Sequence, residues 1–101
     1  MTVKNITGKF IEFDRNNPEI WNAFKRFTFQ AINTGCTHFG AKMVVERIRW
    51  DTMLTTSHER FKISNDYTAF YARKFMFHYP QHKNLFAFKP SIADRLYERA
   101  A

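Results

Sequence analysis

The chain has 101 residues, 45% of them hydrophobic and 18% aromatic, with twelve phenylalanines. That suffices for one domain around one core, is too short for a cofactor domain joined to a substrate domain, and lies far from the composition of disordered chains. Sixteen Lys and Arg against nine Asp and Glu leave a formal charge of +7, which points to an anionic partner, nucleic acid first and an acidic protein surface second.

No apolar run approaches the ~18 residues of a membrane span, and the opening MTVKNITGKF carries no secretion signal. The reading is therefore a cytosolic protein without a membrane partner. The lone Cys36 rules out an internal disulfide and agrees with a reducing compartment. Cys36 and His38 stand without a second pair at zinc spacing, so no metal is expected.

In chain order, the Gly8-Lys9 break argues against a long helix at the start, and residues 1–9 read as loose, with Phe10, Ile11 and Phe13 a short packed lead-in. Asn17 and Pro18 predict a helix start, Asn17 as cap and Pro18 in the first turn. Ile20, Phe24, Phe27 and Ala31 then form one buried stripe. Gly35 is placed to end that helix in a left-handed cap. A short extended piece around His38 and Phe39 precedes a helix over 41–54, whose Val44, Val45, Ile48 and Thr52 share a face. Lys42 and Glu46 are spaced to pair on it. A polar loop of about ten residues follows. Ser64 or Asn65 is expected to cap a helix that Pro80 terminates. NLFAFKPS is the best strand candidate, and SIADRLYERA a short helix with Ser91 and Asp94 at capping-box spacing. The layout is a single domain over residues 1–101, with 13–90 the compact core and 91–101 a C-terminal helix.

On a helical wheel the segment ending at Pro80 sorts into two sides. Ala69, Ala72, Met76 and Tyr79, with Phe75 at their edge, are read as the core side. Tyr67, Tyr71, Lys74 and His78 fall opposite, flanked by Phe70 and Phe77. Between residues 60 and 90 there are six basic residues and one acid, a local charge of +5. Three helices, the third with a basic and tyrosine-rich outer side and followed by a short β element, match a mainly α, winged helix-turn-helix-like domain with a short C-terminal helix. In that plan Lys62, Asn65, Tyr67, Thr68, Tyr71 and Lys74 meet duplex DNA in the major groove or at phosphates, and Lys83 and Lys89 hold the backbone from the wing. Replacing Lys62 and Lys74 with Glu is then expected to remove DNA binding and spare the fold. The loop before this helix is longer than the tight turn of the simple motif.

Catalytic patterns are missing. Glu46, Asp51, Glu59 and Asp66 show no acid–base spacing, Cys36 is read as a small buried or half-buried thiol, and only three glycines exist. No enzyme and no cofactor are expected. Glu46 and Trp50 are read as structural. Of Arg47 and Arg49, one is expected to pair with Asp66 or Glu59, with Trp50 stacked on its guanidinium, and the other to reach phosphate.

Taken together, NNPEIWNAFKRFTFQAI, HFGAKMVVERIRW and FKISNDYTAFYARKFMFHYP, followed by Leu85 and Phe86, resemble a family of small proteins encoded by bacteriophages and prophages. The resemblance covers about residues 10–90, and FGAKM…ERIRW and FKxxNxYxxxYARxFM are its most specific parts. The family has no assigned activity, so the resemblance implies a phage or prophage origin and the bacterial host cytoplasm, and carries over no functional residue. The expected function is non-enzymatic binding of double-stranded DNA by a monomer or homodimer, of the kind a transcriptional regulator performs. The alternative is a phage-encoded inhibitor that binds a host protein through Phe70, Phe77, Tyr67 and Tyr71, since aromatics and Arg dominate binding hot spots.

Overall fold

The first helix begins earlier than its glycine suggests. In a computed structural model, which describes residues 6–55, 63–86 and 91–97 (54 and 55 without their side chains), α1 runs Ile6–Asn16 straight through Gly8 and Lys9. Glycine costs a helix interior about 1 kcal/mol, and burial of Phe10 against three aromatic rings outweighs it. The expected loose segment is thus helical from Ile6 on.

Asn17 breaks the chain between α1 and α2 (Pro18–Asn33). Its side chain does not cap α2 as expected. The amide Nδ2 instead donates to the Phe13 carbonyl at 2.9 Å, closing the end of α1. Along α2 the predicted stripe holds, with Ile20, Phe24 and Phe27 buried and Ala31 half-buried. The helix ends on Gly35 at φ +99°. The Gly35 N–H reaches the Ile32 carbonyl at 3.0 Å and the Cys36 N–H the Ala31 carbonyl at 3.1 Å, the paired bonds of a Schellman ending.

Helix α3 (Ala41–Thr55) buries Ala41, Val44, Val45 and Ile48 against α2 and α4. Helix α4 (Tyr67–His78) is the centre of the fold, in contact with α2, α3 and α5. Neither Ser64 nor Asn65 caps it through a side chain to its first turn. The Ser64 hydroxyl accepts the Asp66 N–H at 3.1 Å instead. Pro80 stops α4 and opens a single 3-10 turn, Pro80–His82.

The two expected extended pieces do meet, through one parallel bridge between Phe39 and Phe86, with the Phe39 N–H on the Leu85 carbonyl at 3.0 Å. Among the described residues there is no strand beyond that bridge. The fold shown is mainly helical. Helix α5 (Ala93–Leu96) closes it, with the Asp94 carboxylate accepting the Ser91 N–H at 2.9 Å, as the spacing predicted. Its buried Ala93 and the Arg73–Asp94 pair dock it on α4.

Candidate functional site

The side of α4 expected to face DNA faces α1. Phe10 stacks on Phe70 at 4.8 Å between ring centroids and meets Tyr71 edge-on at 5.0 Å. Phe13 packs on Tyr67 at 4.9 Å. Tyr71 has no exposed surface, lies between Phe10 and the rings of Trp21 and Phe24, and finds no hydrogen-bond partner for its hydroxyl. Burial pushes its pKa well above the ordinary tyrosine value, with the Asp14 carboxylate adding to the effect. Tyr97 is raised by the same two causes in the same order. Tyr67 is raised by burial first and then by Asp66 and Glu12.

Lys74 is likewise committed inside the protein. Its ammonium pairs with Asp14 of α1 and lies 4.5 Å from the Trp21 ring centroid, and each charged side chain is only 15% exposed. Asp14 keeps one buried oxygen without a partner.

The remaining expected contacts scatter. Asn65 is exposed, but its side-chain oxygen Oδ1 accepts a hydrogen bond from Arg49 Nη2 at 2.9 Å. Thr68 is half-buried in the first turn of α4. Lys83 is exposed in the turn after the 3-10 segment. Lys62 and Lys89 lie outside the described residues. Of the alternative aromatic interface, Phe70 is core and Phe77 is half-buried beside Tyr97 at 5.8 Å. The expected outward placement of Tyr71, Phe70 and Lys74 is therefore corrected, because α1 occupies the space that a three-helix plan left to solvent.

Arg49 is settled as well. Its guanidinium holds Glu46 at 2.8 Å, the Ile63 carbonyl and Asn65, pinning the entry to α4. This takes Glu46 away from Lys42, its expected partner. Arg47 pairs with Asp51 at 3.4 Å and covers the Phe27 ring at 4.7 Å. Cys36 is an exposed free thiol rather than a buried one.

Two surfaces remain. The first is charge. Outside the four ion pairs, the described residues leave seven cations and three carboxylates. Six of those cations, Lys9, Arg15, Arg26, Lys42, Lys83 and Arg95, are exposed. The second is the outward side of α3, where Met43 is 67% exposed, Trp50 57% and Met53 61%. Beside it, between α2 and α3, runs a groove of about 320 Å³ lined by Phe27, Ala31, Phe39, Met43 and Arg47. Sequence reasoning missed this second surface. Its signal was Met43, Arg47 and Trp50 recurring opposite the Val44–Ile48 core side, a second stripe on one helix.

Among the described residues no cluster of His, Cys, Asp and Glu is placed to hold a metal, and no helix is long and apolar enough to cross a membrane. No family model, curated protein or solved structure matches the chain.

Proposed function

We propose that this is a non-enzymatic DNA-binding protein of bacteriophage or prophage origin, acting in the bacterial host cytoplasm, and that it grips duplex DNA through phosphates rather than base edges. The observation that carries the reading is the seven-to-three excess of cations over carboxylates among the described residues once internal pairs are removed. Charge spent on folding is unavailable to a ligand, and the charge left over is positive and mostly exposed. Phosphate contact needs only that, whereas base readout needs a helix free to enter a groove, and α4 is enclosed. Of the winged helix-turn-helix plan only the basic wing position Lys83, exposed after the 3-10 turn, is kept as a phosphate contact.

The test is fluorescence anisotropy of labelled duplexes of unrelated sequence, titrated from low to moderate salt. Affinity is expected to vary little with sequence and to fall steeply with salt, by a log–log slope of about −0.9 per phosphate contacted. Lys83→Gln and Lys9→Gln should each flatten that slope by up to about one contact. Absence of binding at low salt would overturn the proposal.

A second reading, inhibition of a host protein, moves from α4 to the exposed Met43, Trp50 and Met53 of α3. Large apolar side chains beside Arg47 have the chemistry of a protein-binding hot spot. Under this reading Trp50→Ala abolishes capture of a host protein and leaves DNA affinity unchanged.

A further inference from the structure

We infer that the outward side of α3 is the contact between two copies of this chain, paired antiparallel about a two-fold axis level with Arg49. Two molecules of formal charge +7 repel each other over most of their surface. The outer side of α3 is an exception. Its exposed charges Lys42, Glu46 and Arg47, with the half-buried Arg49 and Asp51 at its margins, sum to only +1. The same side carries Met43, Trp50 and Met53, the three most exposed of the large apolar residues among those described, with Ile92 level with Trp50. At about 100° per residue, Met43 and Trp50 lie within ~20° of each other, with Arg47 and Met53 about 60° to either side. Low net charge, apolar area and an aromatic centre coincide there.

Charge order along the helix selects the partner. In an antiparallel pair related by a two-fold, each flank of one helix meets the same flank of the other. Arg47 and Asp51 share a flank and already pair at 3.4 Å within one helix. With the axis level with Arg49, Arg47 of each copy stands opposite Asp51 of the other, so two local pairs merge into one alternating cluster of four charges. The two Trp50 rings then lie side by side at the centre. A strip one helix long is near the low end of specific interface sizes, so the dimer is a weak one. This contact does not depend on DNA binding, and each can fail without the other.

Sedimentation equilibrium of the full chain over a wide concentration range tests it. The wild type is expected to show a reversible monomer–dimer equilibrium, and Trp50→Ala to weaken it at least about tenfold. Arg47→Asp and Asp51→Arg should each fail to self-associate while keeping a helical circular dichroism spectrum. Mixed together they should form a heterodimer, because Asp at 47 then faces Arg at 51. A chain that stays monomeric at every concentration would overturn the proposal, leaving the α3 side to a host partner. So would a dimer indifferent to Trp50→Ala, or a mixture that fails to associate.

Discussion

Helices α3 and α4 make an instructive pair. Both carry basic residues beside an apolar core side, and the sequence reading gave each a core side while sending only the Tyr67–Lys74 side of α4 to a ligand. The structure encloses that side of α4 as well. Helix α4 meets α1, α2, α3 and α5, so its second aromatic side stacks on Phe10 and Phe13. Helix α3 packs against α2 and α4 and keeps Trp50 in solvent. Aromatic content alone does not separate an enclosed helix from a docking surface. What separates them is how many neighbours the chain supplies, and the neighbour that decided the outcome is α1.

The largest effect should come from removing what α1 adds to α4. Phe10 is fully buried and touches Tyr67, Phe70 and Tyr71. Truncation to Ala leaves a cavity the stacked rings cannot fill, at a cost of about 4 kcal/mol in urea unfolding. A loss under about 0.5 kcal/mol, the range of ordinary surface changes, would mean that α1 does not enclose α4.

Lys74 comes next. Lys74→Met strands the Asp14 carboxylate in a site where both partners are 15% exposed, and breaking such a pair should cost about 3 kcal/mol. The double variant Asp14→Leu with Lys74→Met should recover most of it, and a double-mutant cycle reads the coupling. Lys74→Glu, expected from sequence to spare the fold, instead places two carboxylates together and should unfold the protein. It therefore cannot test DNA binding.

A smaller effect concerns the Tyr71 hydroxyl, buried without a partner. Tyr71→Phe removes an unsatisfied polar group and should leave stability unchanged or raise it by about 1 kcal/mol. Its pH signature is distinct. A tyrosine whose folded pKa is raised contributes stability below the unfolded value of 10.0, and that stability is lost as pH climbs beyond it. Thermal stability should drop from about pH 10 upward, and less so in Tyr71→Phe. Equal alkaline loss in both proteins would place that tyrosine in solvent.

Much of the architecture was legible because it rests on local signals. The Gly35 ending, the Pro80 stop, the Ile20–Phe27 stripe and the Asp94–Ser91 cap each need only a few neighbouring residues. The binding side was not legible, since deciding which side of α4 is covered needs the position of α1, sixty residues away at the Asp14–Lys74 contact. Gly8 hid α1, because a helix penalty of about 1 kcal/mol is visible in sequence and the ring stacking that outweighs it is not. Asn17 shows the same limit on a smaller scale. Its position at the α1–α2 junction was readable and its carbonyl opens α2 by accepting the Ile20 N–H, yet its side chain serves the helix before it.

Trp50 should give the smallest effect on folding, and that is what makes it informative. At dilute concentration, where the chain is monomeric, Trp50→Ala removes a ring that is 57% exposed and should change stability by less than about 0.5 kcal/mol, as surface substitutions do. An enclosed aromatic such as Phe10 cannot behave so, because its truncation opens a cavity. If urea unfolding of dilute protein shows a loss of 2 kcal/mol or more, the range of a core truncation, then Trp50 packs within its own chain and the contrast between α3 and α4 collapses. If the dilute variant is as stable as the wild type but only the wild type gains stability with concentration, the ring acts between molecules, since association stabilises the folded state by mass action.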